Sequence, residues 1–421
     1  MLTLKALDRP ACGTRTAPER GSMVLAGSRL STVECFLLTA IFVVAAFADL
    51  PTFLRVGGAT GLAVLTVAFL VAGILSLCAA APTSHGVRAF RWTIAFALWV
   101  AVTSAVHGPT SDGIQNLAVL GVFLTLGLVA AREGQRSGSL QNVVLACGRR
   151  LAWGSAALYS GNWLLVKFGA PRWVSPRQFA LVAILGACVL LCAPGANRKR
   201  SLRLAWLLVA LVCLSGSRMA LATGVFLILA LSPLKLNLKR RYGRRAVVFG
   251  VMTLGVMLIM AFKVPMFHDR FLGGYKPIKV AGLEIASSGR AAYWQTTVDS
   301  WRGSPFLGRG AGSASKVIRS NFAGYGAHPL NEYLRLLHDY GIVGAFLFVA
   351  GLVSLLRKLW ALTRSDGAIE APIYRAAALA TVALMLTMFT DNSIIYLFFM
   401  GPLAVLVGTA VGRAAQQDCP R

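Results

Sequence analysis

The chain alternates between long apolar runs and short polar breaks. Apolar residues crowd twelve stretches, roughly 31–49, 60–80, 90–107, 114–131, 150–168, 179–193, 202–214, 218–232, 246–262, 340–361, 373–390 and 393–412. A run of about 20 apolar residues predicts a helix that crosses a bilayer. Several of these runs are shorter, which predicts helices with polar ends or helices buried among their neighbours. The pattern therefore predicts an all-α, polytopic membrane protein of about twelve transmembrane helices. Its parts are a polar segment at 1–30, a bundle of about nine spans at 31–262, one long loop at 263–339, about three further spans at 340–412, and a tail at 413–421.

Inside the long loop the pattern changes. From Arg290 to Arg302, Trp294, Val298 and Trp301 recur at i, i+4 and i+7. That spacing predicts a short helix with one apolar face and tryptophans at its ends, lying on the membrane interface. Gly308, Gly310 and Gly312 predict a tight turn. A second short helix is expected over about 329–340, with Pro329 at its first position, a stripe of Leu330, Leu334 and Leu337, and Gly341 and Gly344 ending it before the next span.

Composition agrees with this reading. Of 421 residues, 57% are hydrophobic and only 14% are charged, which excludes an ordinary soluble domain. The net charge of +27 would suit nucleic acid, but its distribution suits a membrane. If the N-terminus is cytoplasmic, the 42 Lys and Arg divide 27 to 15 in favour of the cytoplasmic side, and the short outer loops 107–113 and 391–393 hold none. That asymmetry predicts both termini in the cytoplasm and loop 263–339 on the outer face, with membrane lipids rather than nucleic acid as partners. The loop itself carries ten basic and five acidic residues, so an anionic partner is expected on that face.

None of the eight cysteines lies in the loop, there is no CxxC or HExxH, and no metal or cofactor is implied. Two arginines stand out. Arg218 follows Ser215, Gly216 and Ser217 at the outer end of two spans, where a charge is costly unless it is paired or serves a cavity; the plain alternative is a side chain reaching to the headgroups. Arg290 follows Ser287, Ser288 and Gly289 and offers a rigid donor fork suited to phosphate oxygens; the alternative is a solvent-facing helix-end charge. The glycine run lacks the strand and the Lys-Ser/Thr of a nucleotide loop. Among the five histidines, His328 sits before a helix N-terminus and is the first candidate for a general base. His338, ten residues on, is the second, or else a structural histidine.

Taken together, Gly289-Arg290 with Trp294, the run Ser304-Pro305-x-Leu307-Gly308-x-Gly310-x-Gly312-Ser313, and His328-Pro329-x-Asn331-Glu332-Tyr333-Leu334 leading to Tyr340-Gly341 resemble the O-antigen ligase and polymerase family of bacterial envelopes. The upstream Ser-Gly-Ser-Arg is similar to that family's motif, so the motifs cover about 215–344. The resemblance implies a metal-independent, inverting glycosyltransferase of the GT-C type in the inner membrane. It would take glycan from undecaprenyl diphosphate on the periplasmic side and attach it to lipid A–core. It also implies that Arg218 and Arg290 bind the diphosphate, supported by Ser217, Gly289 and Asn331, while His328 activates the acceptor hydroxyl. Many members read His-x-His-Asn; here Leu330 holds the place of the second histidine, which leaves the role to His328 or His338. The chemistry fits without a cofactor: a lipid diphosphate is already a good leaving group, so cationic stabilisation and a base suffice. A polymerase of the same family is the second reading, and a lipid-linked glycan transporter or flippase the third. Against transport, Glu34, Asp49, Asp112 and Asp391 all fall near span ends, and no inverted repeat is visible.

Overall fold

The computed structural model describes residues 32–47, 55–56, 59–170, 173–192, 198–231, 278–280, 283–285, 290–322, 328–364 and 372–417. The helices, in order, are α1 (Thr32–Phe47), α2 (Gly61–Ala79), α3 (Ser84–His107), α4 (Ser111–Arg136), α5 (Leu140–Lys167), α6 (Pro176–Cys192), α7 (Arg198–Leu214), α8 (Arg218–Leu231), α9 (Arg290–Trp301), α10 (Ser313–Asn321), α11 (Glu332–Arg364), α12 (Pro372–Thr387) and α13 (Leu397–Gln417). Two small antiparallel hairpins supplement this helical fold. β1 (Arg55–Val56) pairs with β2 (Ala59–Thr60), and β3 (Ile278–Val280) pairs with β4 (Leu283–Ile285), with Ile278 opposite Ile285.

Eleven of the twelve apolar runs fall on helices; the run at 246–262 lies outside the described residues. Among the described residues, α2, α3, α4, α11 and α13 are long and apolar enough to cross a membrane, and α1, α6, α12 and part of α8 are shorter apolar helices. A polytopic helical membrane protein is thus supported, but a count of twelve spans is not. Length and polarity are the physical reasons: α1, α6, α8 and α12 have 16, 17, 14 and 16 residues, α5 carries Arg149 and Arg150 in its first half, and α7 opens on Arg198-Lys199-Arg200 with Arg203 one turn later.

The core is built around α13. Of its apolar window, 94% is buried, against 22–56% for the other long helices. It lies along α4 at a close crossing, because Gly408 and Gly412 face the backbone of Gly127 and Ala131; a Cβ at either glycine would collide with a carbonyl there. Small residues let helix backbones approach and gain dispersion where lipid offers no hydrophobic drive.

At one end of the bundle a buried arginine ties α1, α2 and α4. Arg132 Nη2 donates to Glu34 Oε1 (2.6 Å) and Ser76 Oγ (2.9 Å), Nη1 to the carbonyls of Ser76 (2.8 Å) and Ala80, and Nε to Glu133 Oε1 (2.8 Å). The sequence pattern counts Arg132 as a loop charge, whereas here it is wholly buried and fully engaged. At the opposite end lie the segments expected on the outer face. Thr110 N donates to Ala311 O (3.2 Å), Arg319 pairs with Asp112 (2.8 Å), Glu332 N donates to Met388 O (2.8 Å), and Arg177 pairs with Asp391 (2.9 Å). The loop elements α9 to α11 are therefore seated on the turns 107–113 and 388–396.

Candidate active site

The element that organises this end is the kinked helix α11. Gly341 adopts φ 67°, ψ −174° and divides it into 332–340 and 342–364. A side chain at Gly341 would strike the carbonyl of Phe306, so glycine is required both for the backbone conformation and for the approach of the turn 304–312. The backbone on either side of the kink holds that turn. Arg309 N donates to His338 O (3.0 Å), Gly310 N to Asp339 O (2.9 Å), and Ile342 N to Pro305 O (2.8 Å). Gly308, Gly310 and Gly312 all have positive φ, as a tight turn requires. Gly344, expected to break the helix, remains helical; its missing Cβ makes room for the Trp99 ring.

The start of α11 corrects the sequence reading. Pro329 is not its first residue. Leu330 has φ 54°, and Asn331 caps the helix: its Oδ1 accepts from Leu334 N (3.1 Å). Pro329 O instead accepts from Trp294 Nε1 (2.8 Å). Helix α9 is correspondingly not free on a membrane interface. It packs on α10 and α11 through buried Tyr293 and Thr297, and Tyr293 meets Phe322 edge-on at 4.8 Å.

Helix α10 has no forecast in the sequence pattern. Its N-terminus is held by Asp339, which is buried and accepts from Gly312 N (3.0 Å), Ala314 N (2.8 Å) and Ser313 Oγ (2.9 Å). A carboxylate there meets the orphan N–H groups and the positive end of the helix dipole. Arg335 joins Asp339 (3.8 Å) to Glu332 (2.5 Å), and all three side chains are buried. This cluster was not singled out from the sequence. Its signal is present: Glu332, Arg335 and Asp339 fall at i, i+3 and i+7, one polar face of a helix beside an apolar span.

The two histidines differ in surroundings. His338 is fully buried with both ring nitrogens engaged, Nδ1 with Ser313 Oγ (3.1 Å) and Nε2 with Ser300 Oγ (3.0 Å). Ser313 gives its proton to Asp339, so its oxygen accepts from His338 Nδ1–H, and Nε2 accepts from Ser300. His328 has Nδ1 on Ser315 Oγ (2.7 Å), while its Nε2 makes no hydrogen bond among the described residues. Burial, then the Arg335 guanidinium, with Arg319 adding to it against Asp112 and Asp339, lower the His328 pKa from 6.5 to about 4.

Arg290 Nη1 donates to Thr390 O (3.0 Å), in the turn whose next residue, Asp391, holds Arg177. Arg218 is the first residue of α8, after Gly216 at φ 70°; Ser217 accepts Leu221 N (3.0 Å) and so starts that helix. Helix α8 packs on α6 and α12, and the side chain of Arg218 lies outside the described residues. Gly289 lies outside the described residues. Among the described residues no group of three or more His, Cys, Asp and Glu could hold a metal ion.

The stretch that builds this end is also the stretch with a known likeness. Residues 204–349 match the O-antigen ligase family model. The match runs from within α7 to the first turns beyond the α11 kink and bears out the resemblance carried by the motifs there. It supports an O-antigen ligase or polymerase type of function, and with the apolar helices a membrane location. No curated protein matches the chain.

Proposed function

We propose that the protein transfers a glycan from undecaprenyl diphosphate to an acceptor hydroxyl of lipid A–core, as an inverting glycosyltransferase of the inner membrane with its site on the periplasmic face. The observation that carries this is the pairing of His328 with Ser315 inside the segment that matches the O-antigen ligase family. A base needs one ring nitrogen fixed and the other open to the proton it takes. With Nδ1–H donated to Ser315, Nε2 keeps its lone pair for the acceptor hydroxyl. The low pKa keeps the ring neutral at working pH. Arg290, with Arg218, binds the diphosphate and offsets the charge that develops on the leaving group. His338, with both nitrogens occupied, positions the turn rather than the proton.

The test is transfer by His328→Ala and His338→Ala protein reconstituted with lipid-linked donor. Loss of a positioned base costs about 10²–10⁴ in rate, so His328→Ala should lose transfer while still binding donor. Retained transfer in His328→Ala, with loss in a folded His338→Ala protein, would overturn the assignment. Lipopolysaccharide from a deletion strain separates the acceptors: unattached full-length chains indicate a ligase, single-repeat lipopolysaccharide a polymerase. Sidedness is tested by impermeant maleimide on Ser320→Cys, an exposed position of α10; labelling only after permeabilisation would reverse the orientation.

A further inference from the structure

We propose that the groove between α11 and α12, at the end of the bundle opposite the candidate active site, binds the phosphate headgroup of an anionic phospholipid through Arg357 and Arg364. The site lies outside the matched segment. From the kink at Gly341 to its last residue, Arg364, helix α11 rises about 34 Å. The groove therefore stands about the thickness of a bilayer core away from the turn 304–312. Its volume is about 790 Å³, and it is lined by Leu356, Arg357, Trp360, Ala361 and Arg364 of α11 and by Val382 of α12. The link 365–371 between the two helices lies outside the described residues.

Arg357, Trp360 and Arg364 fall at i, i+3 and i+7, so all three share one face of the helix. Both arginines are exposed, and neither has a hydrogen bond or an ion pair with a described residue. The Arg364 guanidinium lies over the Trp360 ring, its Cζ 5.4 Å from the ring centroid. Stacking fixes the plane of the cation and leaves its N–H edge for oxygen acceptors. Arg132 shows the opposite case, an arginine that joins helices: it is wholly buried, and protein groups engage its Nε, Nη1 and Nη2.

Charge and depth decide which ligand fits. Among the described residues no carboxylate lines the groove, so its two cations are uncompensated. Arg357 stands about two turns before Arg364, about 10 Å deeper along the span. A cation facing hydrocarbon is costly there unless it finds an anion or reaches the headgroups. Leu356, Ala361 and Val382 give the same groove an apolar wall beside the cations. A soluble phosphate would use the arginines alone. A phospholipid uses both parts, with phosphate oxygens on the guanidinium groups and acyl carbons on the apolar wall. Basic pockets between transmembrane helices suit anionic headgroups for this reason. The occupant is thus a phospholipid of net negative charge, supplied by the surrounding bilayer.

The full chain, purified in detergent, is titrated with phosphatidylglycerol, phosphatidylcholine and inorganic phosphate, and retained lipid is counted by native mass spectrometry. The wild type should hold phosphatidylglycerol about tenfold more strongly than phosphatidylcholine, as two arginines at a headgroup imply, and inorganic phosphate should not displace it. Arg357→Gln/Arg364→Gln should lose that preference with the melting midpoint in place. Arg149→Gln/Arg150→Gln, which removes the same charge from α5, should keep it. A wild type without the preference, or an α11 variant that keeps it, overturns the proposal. An equal loss in the α5 variant does the same, because the attraction would then belong to the +27 chain as a whole. Displacement by inorganic phosphate would make this a soluble-anion site and overturn the lipid assignment. Should the α11 variant melt early, Ala361→Trp decides, since it fills the groove from an exposed position and keeps both arginines. Ala361→Trp must lose the preference, and unchanged retention overturns the proposal.

Discussion

Asp339→Asn tests whether a single buried carboxylate holds the turn and α10 in place. The native carboxylate accepts three hydrogen bonds, from Gly312 N, Ala314 N and Ser313 Oγ, and faces Arg335 at 3.8 Å. Asparagine keeps one acceptor oxygen. Oriented to retain Ala314 and Ser313, it turns an NH2 group towards Gly312 N–H, donor against donor. A buried donor left unmade costs about 1–3 kcal/mol, and hydrogen bonds to a charged partner are worth about 1 kcal/mol more apiece than neutral ones. The local loss is then about 3–5 kcal/mol, which raises the population of the opened turn roughly 10²–10⁴-fold. Arg309 and Lys316 lie exposed on either side of the Asp339 contacts. Tryptic cleavage after either residue should accelerate by that factor when opening is fast relative to cutting. Asp299→Asn is the control, because Asp299 pairs with Arg302 in the open and such pairs contribute at most about 1 kcal/mol. Equal cleavage rates in the wild type and Asp339→Asn would refute the reasoning.

Two further outcomes are expected. His328 is held neutral by burial and Arg335, so protonation favours the unfolded chain; stability is complete above pH 6.5 and falls as pH drops through about 4, by about 3 kcal/mol in all. The acid limb of the pH–rate profile should accordingly lie near pH 4 to 5, and a limb at 6.5 would mean that another group is the base. Arg132→Ala leaves Glu34 without its cation and Glu133 with only the half-exposed Arg136, and should cost about 3–5 kcal/mol, read as a lower melting midpoint with donor binding unchanged per folded molecule.

The apolar runs and the helix at 290–301 were legible because their signals are local: continuous hydrophobicity, and an i, i+4, i+7 spacing. The glycine turn was legible for the same reason, since positive φ favours glycine. What escaped depends on partners far along the chain. Helix α10 has few apolar residues of its own, and the carboxylate that caps it comes from Asp339, 25 residues beyond Ala314. The expected start at Pro329 failed because Trp294 claims its carbonyl and Asn331 supplies the cap instead. Trp294 and Trp301 looked like interface anchors, but both indoles donate to backbone carbonyls, of Pro329 and Pro305. The buried charges of α11 passed as loop charges because a sequence does not show which polar face will be covered.

The burial of α13 has a consequence for the order of assembly. It follows every other described helix in the chain, yet α1, α4, α5, α6 and α12 all pack against it. A ribosome releases its segments in sequence, so the earlier helices enter the bilayer with the seat of α13 still open to lipid. The contact that joins Gly408 and Gly412 to α4 can close only after the segment of the candidate active site has already been made. Synthesis arrested before Leu397 would therefore leave a chain with its candidate catalytic residues made and its core unsealed, a form that membrane quality control can tell from the finished protein.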